Sequence, residues 1–264
     1  MAGRTLDLRL RFRTLSRVAP TSDEWDAVAR NWRSTPANSL LRAYSDAVNR
    51  RLLERWLPRR CGRVLKTDVF DEAVAEGLTP FLAARADAVV AIDTSAEAVA
   101  AARRRHPQLD ARVGDVRALP FEDGSFDVVV STSTLDHFRS HAEVGTALRE
   151  LRRVLAPGGL AVVTLDNPWN PLVALRNALP FRPLARARLV PYYVGATLGP
   201  RRLREALADA GFAVEELAAV MHVPRVAARA LRLPLRLLLA GELLARAPSR
   251  FLTAQFVAAR ARRP

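Results

Sequence analysis

The chain has 264 residues, half of them hydrophobic, a length that holds one large domain or a domain with appendages around a sizeable buried core. The formal charge of +14 turns toward anionic partners, but Lys66 is the only lysine, so the charge is an arginine habit of the whole chain and reads first as a solvated basic surface. Cys61 is the single cysteine, which excludes an intrachain disulfide and a cysteine-built metal cluster and suits a reducing, cytoplasmic location.

Residues 1–37 mix charge, Pro and hydroxyl residues and read as a leader; its first 17 residues alternate Arg with Leu and Phe and lack an apolar core of signal-peptide length, which argues against export. Residues 38–264 form the domain. From Asn38, Leu40, Leu41, Tyr44, Val48, Leu52, Leu53 and Trp56 recur at helical spacing until Pro58. A strand is expected at 63–67, helical character at 78–85, and a second strand at 88–92 ending on Asp93. Ser95 caps a helix over 96–106, and a brief strand follows at 111–113. Buried strands at 126–131 and 160–165 flank a helix over 142–155, the second introduced by Pro157, Gly158 and Gly159.

Strands thus alternate with helices, which predicts an α/β fold with a mostly parallel sheet covered on both faces. Insertions are expected at 167–199 and 224–249, separated by a helix over 200–210 and a strand at 212–223. A terminal strand over 251–260 closes the sheet. The apolar stretch 231–247 is broken by Arg232, Pro234, Arg236, Gly241 and Glu242, which argues against a spanning helix.

Three ordered segments carry a family likeness. The stretch from Gly114 to Phe138, reading GDVRALPFEDGSFDVVVSTSTLDHF, is followed by LRELRRVLAPGGL over 148–160 and by the helix that ends in Ala210-Gly211-Phe212. Together they resemble the class I S-adenosylmethionine-dependent methyltransferases, of the type 11-like kind, over about residues 63–223. The resemblance implies a Rossmann-like fold with a seven-stranded sheet, S-adenosylmethionine as cofactor and methyl transfer as the activity.

The resemblance also implies roles. Asp93, with Thr94 beside it, would accept hydrogen bonds from the ribose diol at the carboxyl edge of the sheet. Asp115 would accept from the adenine amino group, the Val116 amide would meet the ring, and Ser131 and Thr132 would line the cleft. Asp127 and the Pro157-Gly158-Gly159 turn read as scaffold. His137 is the candidate base, with His141 second, whereas His106 and His222 read as structural.

The loop after the first strand departs from the family pattern of an acid followed by Gly-x-Gly-x-Gly. Lys66 stands at the acid, Asp68, Phe70 and Glu72 stand at the glycines, and the next glycine is Gly77. Two readings follow. In one, Asp68, Asp71 or Glu72 meets the methionine ammonium and Gly77 permits close approach. In the other, Phe70 fills the pocket and Lys66 repels the sulfonium, leaving a binding or regulatory protein without turnover. The three acids read as solvent-facing rather than as a metal site.

The acceptor should be a small molecule met by the insertions, where Asn167, Trp169, Asn170, Tyr192 and Tyr193 combine apolar surface with polar tips. Residues 224–249 interleave Leu231, Leu235, Leu238 and Leu239 with Arg229, Arg232 and Arg236. That pattern suits a packed helix, a lid, a dimer contact or a peripheral membrane contact. No specific nucleic-acid partner is expected, because aromatics are not interleaved on a basic stripe.

Overall fold

The computed structural model describes residues 25–26, 39–179, 193–224, 227–228, 231 and 233–264. Tyr192, Arg229 and Arg232, and all of the leader except Trp25 and Asp26, lie outside these residues.

Seven strands form one sheet: β1 (Cys61–Lys66), β2 (Ala86–Asp93), β3 (Asp110–Val113), β4 (Phe126–Thr132), β5 (Leu155–Asp166), β6 (Ala213–Val220) and β7 (Phe256–Arg262). Their order is β3-β2-β1-β4-β5-β7-β6. The first five run parallel, while β7 is antiparallel to both β5 and β6. The terminal strand therefore begins at Phe256 rather than at residue 251. Residues Arg250–Thr253 instead make a short helix, because the chain must first turn back over the end of β5.

The helices are α1 (Ser39–Trp56), α2 (Phe70–Val74), α3 (Thr79–Ala83), α4 (Ala96–Arg105), α5 (His141–Val154), α6 (Pro171–Ala178), α7 (Pro200–Asp209), α8 (Leu235–Gly241) and α9 (Arg250–Thr253). Strand periodicity explains the layering. Leu65, Val129, Ala161 and Val163 point to the face packed by α5 and α7, through Val144, Leu148, Leu151, Leu203 and Leu207. Val64, Val128, Val130 and Val162 point to the other face, against Tyr44, Val48 and Leu53 of α1 and Leu238 of α8. Ala98, Val99 and Ala102 of α4 pack with Val69 and Ala73 in a third cluster beside β2 and β3.

Local chemistry sets the helix starts. Ser95 accepts from Ala98 N, and Ser140 and Glu143 form a reciprocal capping box on α5. Asp127 accepts from Arg63 N at 2.8 Å and so ties β4 to β1, the scaffold role expected of it. Gly158 takes φ 76°, the left-handed value that only glycine adopts without strain. None of the helices described is long and apolar enough to cross a membrane.

Candidate functional site

The strands β1, β2 and β4 end side by side, and the departures from pattern gather at that edge. Lys66, the last residue of β1, is 1% exposed. Its ammonium donates to Glu72 Oε2 at 2.9 Å and to the Asp68 carbonyl at 2.7 Å, and lies 3.0 Å from Asp68 Oδ1. Burial alone would lower the Lys66 pKa, yet Asp68 and Glu72 raise it, so the ammonium stays charged.

Glu72 is fully buried, and its Oε1 accepts from Leu78 N at 2.9 Å. Gly77, at φ 56°, lies against that carboxylate, and any Cβ there would overlap it. The Phe70 ring packs beside the Val69, Ala73 and Ala98 cluster. Asp68 Oδ2 is buried without a hydrogen-bond partner among the described residues.

Asp93 closes β2. Its Oδ1 accepts from Ser95 N at 2.9 Å and its Oδ2 from Val69 N at 3.1 Å, so the rebuilt loop leans on the carboxylate through one amide. Burial pushes its pKa up to about 6 against those two amides. Thr94 is half-buried next to it. Asp115 accepts from Arg117 N at 2.8 Å and from the Arg117 guanidinium, which also reaches Glu143 and lies 4.9 Å over the Phe138 ring. Burial opposes ionisation of Asp115, but Arg117 holds it below the usual carboxylate range. Val116 is buried in the core beneath.

On β4, the Ser131 hydroxyl is buried and accepts from Thr67 Oγ1 at 2.9 Å, while Thr132 is half-buried. Ser133 then adopts φ 53°, a left-handed value for a residue with a Cβ, and ends the strand abruptly. The single turn Leu135–His137 follows. Asp136 is fully buried: Oδ2 accepts from Asp166 N at 3.1 Å and Ser133 Oγ at 3.2 Å, whereas Oδ1 has no hydrogen-bond partner among the described residues.

His137 Nδ1 lies 2.6 Å from the Tyr193 carbonyl and therefore carries a proton, since a carbonyl only accepts. The Trp25 ring stands edge-on to the His137 ring at 4.9 Å. The adjacent Asp26 accepts from Ser95 Oγ and, at 3.2 Å, from Glu97 N at the start of α4. These two leader residues thus span from the β2 side of the edge to the β4 side.

A methyltransferase-domain family model matches residues 74–163. A demethylmenaquinone methyltransferase of Streptomyces avermitilis is 34% identical over 171 residues, covering 62% of this chain and 69% of that one. The chain belongs to the class I S-adenosylmethionine-dependent methyltransferase family.

Another relative, from Mycolicibacterium smegmatis and likewise assigned to the S-adenosylmethionine-dependent methyltransferases, is 33% identical over 168 residues, 63% of this chain. The chain spans 58% of that relative's length, somewhat over half. The fold of an S-adenosylmethionine-dependent methyltransferase from Mesorhizobium loti superposes with a TM-score of 0.59 at 20% identity, over 83% of this chain and 100% of that one.

Within this methyltransferase fold, the structure brings Asp68, Asp93, Ser131, Thr132 and His137 to one sheet edge. It places Gly77 against Glu72. The other histidines serve as ties: His106 to the Ala75 carbonyl, His141 to the Thr197 carbonyl and His222 to Thr253 Oγ1. Asn167 and Asn170 are also ties rather than pocket walls. Asn167 donates to the Phe251 and Ala254 carbonyls, and Asn170 caps α6 and donates to the Thr253 carbonyl. Sequence reading missed the Lys66 and Glu72 pairing, Asp136, and the Trp25 and Asp26 contacts. The lone lysine six residues before a glutamate was the one available signal.

Proposed function

We propose that the protein transfers a methyl group from S-adenosylmethionine to a small-molecule acceptor in the cytoplasm. The observation that carries this reading is Asp68, whose Oδ2 is buried with no hydrogen-bond donor among the described residues while Oδ1 faces the Lys66 ammonium. A carboxylate oxygen in that condition is costly until a donor reaches it, and the ammonium of an amino acid is a strong one. Asp93, Asp115 and the Val116 amide would hold the nucleoside at the neighbouring strand tips. Lys66 does not repel a sulfonium there, because two carboxylates neutralise it. Asp68 and the neutralised Lys66 therefore fit the methionine end of the cofactor.

When bound, the cofactor supplies a methyl group on an already activated sulfonium leaving group. His137 takes the acceptor's proton at Nε2, since its Nδ1 hydrogen is committed to the Tyr193 carbonyl. The demethylmenaquinone methyltransferase among the relatives makes a quinone-like acceptor a natural one to assay first.

Titration calorimetry with S-adenosylhomocysteine tests the reading. Binding that is weakened in both Asp68→Ala and Asp93→Ala, followed by transfer of a labelled methyl group, is the expected result. No heat of binding and no protection against thermal unfolding would remove it. The second reading, a binding or regulatory protein of the same fold, is favoured by the Val69 amide on Asp93 and by Arg117 on Asp115, both standing where ligand groups would bind. Under that reading the cofactor binds weakly or not at all in wild type, and Arg117→Ala strengthens it.

A further inference from the structure

Helix α6 carries an apolar stripe on its outer side. Leu172 and Leu175 share one face of the helix, Trp169 stands just before its N-cap Asn170 and Leu179 is its C-cap; in chain order Trp169, Leu172, Leu175 and Leu179 are 48%, 54%, 60% and 46% exposed. Val173, off that stripe, is the buried residue of the helix. A surface helix ordinarily turns such a stripe to the core.

The patch continues onto α9. Asn170 Oδ1 accepts from Leu172 N at 2.9 Å while its Nδ2 donates to the Thr253 carbonyl at 2.8 Å, which joins the start of α6 to the end of α9. Leu252, 54% exposed, precedes Thr253, and the Trp169 and Phe251 rings meet edge-on at 6.4 Å.

Among the described residues, Arg246 and Arg250 put positive charge beside the patch at α9, while Arg176 of α6 is held by Asp166. Glu242 turns inward, accepting from the Tyr44 hydroxyl, Met221 N and His222 N. Arg236 and Arg246 are exposed, and Arg250 lies 5.0 Å over the Phe251 ring. Exposed leucines and a tryptophan beside exposed arginines match the acyl region and headgroups of an anionic bilayer.

We propose that the Trp169 to Leu179 patch, together with Leu252 and the arginines beside it, docks the protein on an anionic phospholipid surface. Helix α6 follows directly on Asp166 at the end of β5, beside Asp136, so a docked molecule presents that strand edge to the membrane. That the acceptor arrives from the bilayer rests on the methyl-transfer reading; the docking does not.

The test is flotation of the full chain with phosphatidylcholine vesicles, with and without phosphatidylglycerol. Two variants accompany it: Leu172→Asn with Leu175→Asn, and Arg236→Glu with Arg246→Glu. The expected result is recovery with the anionic vesicles only, loss of that binding in high salt, and a drop of about tenfold in either variant. S-adenosylhomocysteine affinity and the melting curve should stay unchanged, which separates this outcome from failure of the cofactor reading. Wild type remaining unbound on anionic vesicles overturns the proposal, as does equal binding by both variants. A wild-type dimer that the leucine variant splits into monomers, without vesicle binding, would instead make this face a contact between copies and also overturn it.

Discussion

The Lys66 ammonium sits 2.9 Å from Glu72 Oε2, with both side chains closed off from water at the tip of β1. Removing Lys66 leaves the Glu72 carboxylate buried without its cation and Asp68 without its ion pair, so Lys66→Met should destabilise the fold by about 3–5 kcal/mol. The double change Lys66→Met with Glu72→Leu should recover part of that loss, since Asp68 still lacks its cation and Leu78 N its acceptor. Urea denaturation of the two variants checks the prediction, and equal losses in both would show that the pair is not coupled.

Three carboxylates near this edge, Asp46, Asp71 and Asp93, are pushed up by burial to about 6, about 7 and about 6. Each binds its proton more tightly folded than unfolded. Their contribution therefore favours the fold near pH 4 and is lost as the pH rises through about 6 to 7. His222, whose pKa burial lowers, acts in the opposite sense as pH falls through its ordinary value. The difference between Asp71→Asn and wild type isolates the carboxylate effect from it. That variant should be more stable by about 1–2 kcal/mol at pH 8, with the gain shrinking as the pH falls and vanishing near pH 4. A gain independent of pH would refute the charge argument.

His137 and Asp93 should separate kinetically. His137→Ala is expected to lower kcat about a hundredfold while S-adenosylhomocysteine affinity holds. Asp93→Asn is expected to weaken that affinity about tenfold or more, since one acceptor oxygen is exchanged for a donor. Calorimetry together with initial rates distinguishes the two, and a His137 variant that loses affinity instead would move that residue from chemistry to packing.

Gly77 offers a test of what its loop is for. Alanine there meets both a left-handed φ and the buried Glu72 carboxylate, so Gly77→Ala should cost about 1–3 kcal/mol of stability. If melting is unchanged and only cofactor affinity falls, the glycine serves ligand approach and not Glu72.

Several parts of this molecule were legible from local pattern. The unbroken run of Val128, Val129 and Val130 announced a strand buried on both sides, and Ser95 announced a helix start, because both signals depend on near neighbours in the chain. The segments 114–138 and 148–160 marked the family. The start of the last strand was misplaced at residue 251, because Phe251 and Leu252 fit a strand pattern locally and only the path over the end of β5 turns them into a helix.

The sequence by itself determined the succession of the seven strands and which of their side chains share a face, since these follow from backbone periodicity. The tertiary structure alone decided that Lys66 is neutralised rather than repelling, that Asn167 and Asn170 tie α6 to α9, and that the leucines of α6 meet solvent. A charge acquires its meaning from burial and partner, and an apolar face from what lies across it. Both are set by residues far away in the chain.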